Sequence, residues 1–346
     1  MHRCTNSLLI PADDAMDLRQ GVLPARDPLF HDWHVVARAA DVQEGKVSSA
    51  RLLGEDLVLW RAGGRVMAWQ DLCIHRGTRL SMGWVADCTL VCPYHGWRYD
   101  ADGRCVRVPA HPNQPPPARA RALVHHATER YGFVWVALRE PAHDVPPFPE
   151  WDDSGFRKVH AGPYPFRASG FRAIENFLDA SHFPFVHAGL NGDPDNPDPM
   201  EDYTVERGRD GLATSEVRVR QLYADARGVS TLAAYTYRCF RPLTAYFSKE
   251  TGGGHHFCTL MVVTPVGDAE SIVWLCVAID FGGELTDDQI IARQDMIFGQ
   301  DRRIVESQRP ERIPLDLRAE LHVRSDKLAV EYRKWLKELG ITIGAM

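Results

Sequence analysis

The sequence lacks several features that define whole classes of protein. Its longest apolar run, Ile272 to Ile279, has the length of a strand and cannot cross a bilayer. The first twenty residues contain no basic segment that leads into an apolar one, so no secretory signal is predicted. Basic residues number 40 against 46 acidic ones and form no cluster, which gives no reason to expect nucleic acid or a membrane surface as a partner. We therefore expect a soluble, cytoplasmic protein that acts on a small molecule.

A compact disulfide framework is also missing. The eight cysteines are spread over 346 residues, and without a secretory signal they are expected to be thiols or metal ligands. With 45% apolar residues, a chain of this length can build two domains with ample core. Six cysteines are interpreted as ordinary small apolar residues or exposed thiols: Cys4, Cys88, Cys105, Cys239, Cys258 and Cys276.

The first half of the chain has the pattern of a small all-β domain. Trp33 to Ala40, Leu52 to Trp60 and Arg65 to Gln70 alternate or run apolar around turn residues, as hairpins do. Tyr131 to Leu138 is predicted to be the closing strand. The segment Pro141 to Trp151 is too rich in proline for regular structure, so it is predicted to be a linker, with the boundary at residues 145 and 146.

The second half is predicted to hold an antiparallel sheet and two helices. Thr286 and Gln289 form a capping box, which predicts a helix from about Asp287 to near Gln308, and Ser325 to Leu339 is predicted to be an amphipathic helix. A glycine-rich turn at 252–254 is interpreted as a hairpin tip, so His255 and His256 are left out of any site. Four alternating segments are predicted to be strands: Glu216 to Tyr223, Thr231 to Phe240, Phe257 to Val266 and Ser271 to Phe281.

Two loops in the first half each carry one cysteine and one histidine. They read Cys73-Ile74-His75-Arg76-Gly77 and Cys92-Pro93-Tyr94-His95-Gly96-Trp97, with 16 residues between His75 and Cys92. Thiolates and imidazoles at such spacing are strong evidence for a metal, and a structural zinc is one candidate. Zinc fingers group like ligands on one arm, whereas here each arm is mixed. Mixed arms suit a Rieske [2Fe-2S] centre, in which two cysteines bind one iron and two histidines the other.

A second cluster of metal-binding residue types lies at Ile174 to His187. Asp179 and His182 are three positions apart, so on a helix they share a face and the carboxylate can reach the imidazole. Pro184 is expected to end this helix, which lets His187 fold back toward the same point. Two converging imidazoles are two thirds of a 2-His-1-carboxylate iron site. A buried helix with hydrogen-bonded histidines is the alternative.

The remaining carboxylate is expected from the helix that begins near Asp287. Its predicted apolar stripe comprises Ile290, Ile291, Ile297, Phe298, Ile304 and Val305. Asp301 lies within this stripe, where an unpaired carboxylate is costly unless a cation receives it. Asp301 is therefore the predicted third ligand, and Asp295, at the edge of the stripe, is the second choice.

At this point the sequence resembles the Rieske-type non-heme iron oxygenases, in particular the short monooxygenase and demethylase members. Cys73-x-His75 with Cys92-x-x-His95-Gly96-Trp97 looks like the family's cluster motif. Glu175-Asn176-x-x-Asp179-x-x-His182-x-x-x-x-His187 looks like its catalytic iron motif, and the segment from Gln300 to Gln308 looks like the one that holds its carboxylate ligand. The order and separation of the motifs match as well.

The resemblance implies an α+β fold with two domains and a ligand assignment. A small all-β Rieske [2Fe-2S] domain would span 33–145, and a helix-grip catalytic domain, an antiparallel sheet over helices, would span 146–346, with an N-terminal segment 1–32 packing on the latter. Cys73 and Cys92 would bind one cluster iron, and His75 and His95 the other. His182, His187 and Asp301 would bind a mononuclear Fe(II).

The resemblance also implies an electron path and partners. In a head-to-tail homotrimer, His95 of one subunit would hydrogen-bond to Asp179 of the next, which contacts His182; Asn176, one turn earlier, is interpreted as support for this junction or as an ordinary polar residue at a helix start. The chain has no glycine-rich nucleotide fingerprint, so NAD(P)H is expected to deliver electrons only through a separate reductase or ferredoxin.

The expected reaction is O₂-dependent hydroxylation or oxidative demethylation of a small aromatic or heterocyclic substrate. Ring cis-dihydroxylation is the alternative within the family, because one fold serves several outcomes. A non-catalytic Rieske electron carrier or a zinc-binding module is the alternative from another class. The segment Asn191 to Met200 is interpreted as a surface loop, with a lid over the substrate entrance as the second hypothesis.

Overall fold

The computed structural model describes residues 27–197, 199–209, 211–225, 227 and 230–346. Within this range the chain forms two compact units, one of residues 30–145 and one of residues 146–346 together with 27–29. Residues 1–26 of the predicted N-terminal segment 1–32 lie outside the described residues. Of the described helices, none is long and apolar enough to span a membrane.

The first unit is all-β, as predicted. Six strands form one antiparallel sheet in the order β1-β10-β9-β4-β3-β2, and four short strands form another in the order β5-β6-β7-β8. The turn Gly63-Gly64 joins β3 to β4, and both glycines have positive φ, which side chains rarely tolerate. The strands are β1 (His34–Arg38), β2 (Val47–Leu52), β3 (Glu55–Ala62), β4 (Arg65–Gln70), β5 (Trp84–Ala86), β6 (Thr89–Val91), β7 (Arg98–Tyr99), β8 (Cys105–Arg107), β9 (Val124–Arg130) and β10 (Phe133–Ala137).

The core of this unit places the two cysteines of the metal motif. The loop after β4 carries Cys73, and the loop between β6 and β7 carries Cys92. Both cysteines belong to the buried cluster that contains Trp60, Trp69 and Tyr99. Apolar packing therefore fixes the cysteine end of each loop, and the histidine ends lie nearer to solvent.

The second unit is an antiparallel sheet with helices, in agreement with the predicted α+β fold. The sheet order is β11-β18-β17-β16-β15-β13-β12, and β14 pairs with β15. Three strand regions were not predicted from the sequence, those at 157–166, 205–214 and 244–250. The strands are β11 (Arg157–Phe166), β12 (Val205–Gly208), β13 (Gly211–Thr214), β14 (Val217–Gln221), β15 (Thr231–Arg241), β16 (Thr244–Glu250), β17 (His256–Gly267) and β18 (Glu270–Ile279). The helices are α1 (Pro149–Asp152), α2 (Gly170–Phe177), α3 (Phe183–Val186), α4 (Asp287–Val305) and α5 (Lys327–Leu339).

The helix expected to carry both Asp179 and His182 ends earlier than predicted. Helix α2 stops at Phe177, because Asp179 Oδ1 accepts from the Ser181 backbone N–H at 2.8 Å and so forms a side-chain turn that competes with the helix. Pro184 does not end this helix. It lies in the first turn of α3, where the backbone N–H that proline lacks would have no partner within the helix.

Helix α4 begins as predicted, but its buried face differs from the predicted stripe. The capping box of Thr286 and Gln289 is present. Ile304 was expected inside and is 45% exposed, whereas Gln294 was not expected and is buried. The buried face repeats every three to four residues through Ile290, Gln294, Phe298, Asp301 and Val305. Asp301 is thus a buried acid on the inner face of α4.

Two smaller predictions differ in their details. The linker was expected to lack regular structure, and it contains the single turn α1, which begins with Pro149 at a position that suits proline. Helix α5 buries Leu328, Tyr332 and Leu336 as predicted, but Leu339 at its end is 37% exposed.

Candidate metal centres

The two loops of the first unit fold into equivalent turns. The Gly77 N–H donates to the Cys73 carbonyl at 2.9 Å, and the Gly96 N–H donates to the Cys92 carbonyl at 3.0 Å. Both glycines have positive φ, 71° and 67°. Each turn reverses the direction of the chain directly after the cysteine, so that the cysteine and the histidine of one loop can bind at the same metal site.

The four side chains of these loops sort into a thiol pair and an imidazole pair. Burial raises the pKa of the Cys92 thiol, and the neighbouring Cys73 thiol contributes to the rise. The rings of His75 and His95 lie 4.6 Å apart by their centroids, and Trp97 stacks on His75 at 4.4 Å. Desolvation lowers the pKa of His75, which favours the neutral imidazole that a metal requires. The buried His75 Nδ1 has no hydrogen-bond partner.

This arrangement fits a two-iron cluster better than a single zinc. Ligands of a tetrahedral zinc would lie within about 4 Å of one another. Within the described chain, the only three or more donor atoms that lie within 4.8 Å of each other come from the second unit, not from Cys73, His75, Cys92 and His95. A Rieske cluster divides its ligands between two irons, as these pairs are divided. The zinc hypothesis is therefore not supported.

In the second unit, His182, His187 and Asp301 converge. His182 Nε2 and His187 Nε2 are 3.3 Å apart, and they lie 3.5 and 3.2 Å from Asp301 Oδ1. The turn after α2 supplies His182, the end of α3 supplies His187 and the inner face of α4 supplies Asp301. Asp301 Oδ1 is buried and has no hydrogen bond of good geometry. Two imidazole nitrogens and an orphaned carboxylate oxygen that face one point are the donor set of a facial iron triad.

The outer nitrogens of both imidazoles are held by acceptors. Asp179 Oδ2 lies 2.9 Å from His182 Nδ1, and Gln300 Oε1 lies 2.9 Å from His187 Nδ1. An acceptor at Nδ1 keeps the proton there and leaves the Nε2 lone pair for a metal. Gln300 was missed in the sequence, although its position directly before Asp301 was a usable signal.

The charges around the triad call for a cation. Burial alone would lower the pKa of His182, but Asp179 and Asp301 raise it to about 9. Burial would likewise raise the pKa of Asp301, but the two imidazoles hold it well below its usual range. The pKa of Asp179 is also lowered, because His182 and Ser181 outweigh its burial. Without a metal the site would therefore retain a proton, which a divalent cation can replace.

Asn176 and Glu175 have different surroundings. Asn176 and Asp301 line a cavity of about 20 Å³ together with apolar side chains, so Asn176 lies near the triad. Glu175 accepts two hydrogen bonds from the buried Arg333, at 2.6 and 2.7 Å, and Glu320 accepts from both Arg333 and Arg172 of α2. This ionic network, which was also missed in the sequence, fixes α2 and hence the segment that follows it.

The second-choice ligand and the paired histidines lie elsewhere. Asp295 is exposed and accepts from the Tyr164 hydroxyl at 2.7 Å, so its choice as an alternative ligand was wrong. His255 Nδ1 lies 3.3 Å from Asp280 Oδ1, and Asp280 also accepts from the His256 N–H. The segment 252–254 joins β16 to β17, as the predicted hairpin tip should.

Two family descriptions match the chain. Residues 32–125 match the Rieske [2Fe-2S] domain. Residues 166–341 match the vanillate O-demethylase oxygenase C-terminal domain.

Relatives of known structure and activity match almost the whole chain. Methylxanthine N1-demethylase NdmA of Pseudomonas putida is 33% identical over 335 residues, which cover 91% of this chain and 90% of the relative. The structure of NdmA from Pseudomonas putida CBB5 with caffeine superposes with a TM-score of 0.82 at 31% identity, over 90% of this chain and 91% of that one. Dicamba monooxygenase bound to dicamba has a TM-score of 0.76 at 22% identity, over 90% of this chain and 97% of that one, which shows a shared fold.

Proposed function

The chain belongs to the Rieske-type non-heme iron oxygenases, and on that premise we propose that it removes an N-methyl group from a small heterocyclic or aromatic molecule. It is the oxygenase component, with a Rieske [2Fe-2S] cluster and a mononuclear iron, and it takes electrons from a separate reductase. The N-demethylase relatives carry the proposal for the reaction, at 33% and 30% identity over most of the chain. Hydroxylation and ring dihydroxylation are less favoured, because the relatives that cover most of the chain at these identities are named as demethylases.

The proposed ligands follow from the two sites. Cys73, His75, Cys92 and His95 would hold the cluster, and His182, His187 and Asp301 would hold the mononuclear iron. When bound, these groups store an electron and activate O₂. The chain's own contribution is to hold the Nδ1 proton of each imidazole on an acceptor, Asp179 or Gln300, so that each Nε2 faces the metal position. The rings around the triad, such as Phe183 beside His182, exclude water.

Asp179 is proposed to join two subunits of a homotrimer. Its Oδ1 accepts from Ser181 and its Oδ2 from His182, yet 31% of the side chain is still exposed. A carboxylate has about four lone-pair positions, so it can accept a further N–H from outside. His95, an exposed imidazole, would supply that N–H from the neighbouring subunit. Sedimentation analysis of the purified protein tests the assembly, and a monomer at micromolar concentration would contradict it.

Formaldehyde release tests the proposed reaction. The holoenzyme would be assayed with a surrogate reductase, NADH and a panel of N-methyl, O-methyl and unmethylated heterocycles. We expect formaldehyde from N-methyl compounds, in proportion to the O₂ consumed. A cis-diol or a ring-hydroxylated product without formaldehyde would overturn the proposal. Metal analysis should first give about three irons and two acid-labile sulfides per chain, and zinc without sulfide would remove the basis for any oxygenase activity.

A further inference from the structure

A lysine occupies an unusual place on the inner face of the second unit's sheet. Lys249 lies in the middle strand β16, between Tyr235 on β15 and Phe257 on β17. It is 4% exposed. Its ammonium group lies 5.5 Å from the Tyr235 ring centroid and 5.0 Å from that of Phe257. A buried ammonium is costly unless an anion compensates it.

Within the described chain, no carboxylate lies within ion-pair distance of Lys249. Its ammonium donates to the Ala224 carbonyl and, at 3.4 Å, to Gln221 Oε1. The nearby Asp225 is already engaged, because both of its oxygens accept from Arg227, at 2.7 to 3.1 Å. Lys249 is thus held by neutral oxygens alone.

Arg293 on α4 is a second cation with neutral partners. Its guanidinium donates to Asn191 Oδ1 at 2.8 Å and to the Tyr223 carbonyl at 2.6 Å. Burial and, to a lesser extent, the nearby charge of Arg293 bring the pKa of Lys249 down to about 7 in spite of the opposing charge of Asp225. With Arg227 included, three basic side chains face one carboxylate among the described side chains of this region, and a bound anion would favour the charged form of Lys249.

Aromatic rings connect this cationic pair to the proposed iron ligands. The Tyr235 ring lies 5.7 Å from that of Phe183, which in turn lies 4.8 Å from His182 and 5.9 Å from His187. Asn191, the partner of Arg293, donates its backbone N–H to the His187 carbonyl. Lys249 is therefore linked to the triad through Tyr235 and Phe183, and Arg293 is linked to it through Asn191.

Two further polar groups on the same face of the sheet have no partner. The Tyr237 hydroxyl and the Thr259 hydroxyl are buried and lack a hydrogen bond. Tyr237 is 1% and Thr259 is 2% exposed. Both follow the alternation of Tyr235 and Phe257, so they lie on the side that carries Lys249. Buried polar groups are almost always satisfied, so two unsatisfied hydroxyls on this face need an explanation, and a bound polar ligand would supply one.

We propose that Lys249 and Arg293 form an anion-binding subsite beside the iron triad, and that the substrate is a flat ring carrying a carboxylate. The aromatic side chains would contact the faces of the ring. Lys249 and Arg293 would bind the carboxylate, and the Tyr237 and Thr259 hydroxyls would meet further polar atoms of the ring. This inference rests on the proposed function and adds the charge of the substrate to it.

Matched carboxylate and amide probes test the subsite by calorimetric binding to the iron-loaded protein without O₂. Suitable pairs are N-methylanthranilate with N-methylanthranilamide, and 1-methylimidazole-4-carboxylate with its amide. We expect at least one carboxylate to bind roughly tenfold more tightly than its amide, since a desolvated charge pair contributes on the order of 1.4 kcal/mol or more. In Lys249→Met this preference should disappear, while the affinity for the amide stays within about threefold.

Three further variants separate charge from folding. Lys249→Arg should retain the preference, and Arg293→Met should reduce it. Arg157→Met is the control, because Arg157 is joined to Lys249 by the same cross-strand row, through Phe257 and Ile279, but pairs with Asp287 at the edge of the sheet. The visible spectrum of the cluster and the melting temperature monitor folding. If Lys249→Met does not fold, the Arg293→Met result decides.

Two outcomes would overturn the subsite. In one, neither carboxylate binds more tightly than its amide in the wild type. In the other, Lys249→Met and Arg293→Met weaken carboxylates and amides alike, as expected if both cations only stabilise the turn at Ala224. Because binding is measured without turnover, a carboxylate preference without formaldehyde release would contradict the proposed reaction and leave the subsite standing.

Discussion

The contact between Gln300 and His187 should control how tightly the second unit holds its metal. Gln300→Leu removes the acceptor and nearly preserves the volume. His187 is 1% exposed, so water cannot replace the lost partner of Nδ1. A buried donor left without a partner costs about 1–3 kcal/mol, or roughly 5- to 160-fold in an equilibrium constant. The ring avoids that cost by moving its proton to Nε2, the atom that faces the metal position. We therefore expect Fe(II) affinity to fall roughly 10- to 100-fold.

Anaerobic titration of the iron-depleted protein with Fe(II), against a competing chelator dye, measures this affinity. The absorption of the cluster in the first unit reports that the protein is otherwise intact. Gln300→Glu keeps an acceptor at Nδ1 and should stay within about threefold of the wild type. Gln308→Leu makes the same chemical change just beyond α4, where its Oε1 has no partner, and should leave the affinity unchanged. If Gln300→Leu bound Fe(II) like Gln308→Leu, the role assigned to Gln300 would be refuted.

Three other predictions concern neighbouring residues. Asp179→Ala should retain both metals by elemental analysis, since the His182 side chain is 14% exposed and water can replace the lost acceptor at Nδ1. It should lose most formaldehyde release, and turnover near the wild-type rate would contradict the junction between subunits. His182→Ala should lose the mononuclear iron while the cluster keeps its visible spectrum, so loss of both centres would point to misfolding instead. Arg333→Met leaves Arg172 as the remaining cation beside Glu175 and Glu320, and urea unfolding should show a loss of about 1–3 kcal/mol; an unchanged midpoint would show that Arg333 contributes little.

The sequence predicted what local spacing encodes. The two Cys-His loops need only a turn within a few residues, and the structure has that turn in each of them. Asp301 was found because a charged residue interrupts an apolar face. The contact between Asp179 and His182 was also predicted, but on the assumption of a helical backbone. The turn at Ser181, rather than a continuous helix, brings the two side chains together.

The rest depends on contacts between distant segments. Gln300 meets His187 across 113 positions, and Arg333 meets Glu175 across 158, so no local pattern identifies either partner, although the position of Gln300 directly before Asp301 was a signal for Gln300 itself. Lys249 was missed for another reason. Its strand, β16, reads Thr244-Ala245-Tyr246-Phe247-Ser248-Lys249-Glu250, in which a lysine near the end resembles an ordinary polar boundary residue. Only the pairing of β16 with strands on both sides places it in the interior.

The long separation in sequence between His187 and the helix that carries Asp301 also affects the thermal stability of the second unit. A metal bound by both would act as a cross-link that closes a long loop of the chain. Such a cross-link restricts the unfolded ensemble more than one between residues close in sequence would. Binding to the native form alone shifts the folding equilibrium by mass action. Iron loss during storage should therefore lower the melting temperature of the second unit as well as the activity, and resupply of iron before unfolding should protect preparations from aggregation.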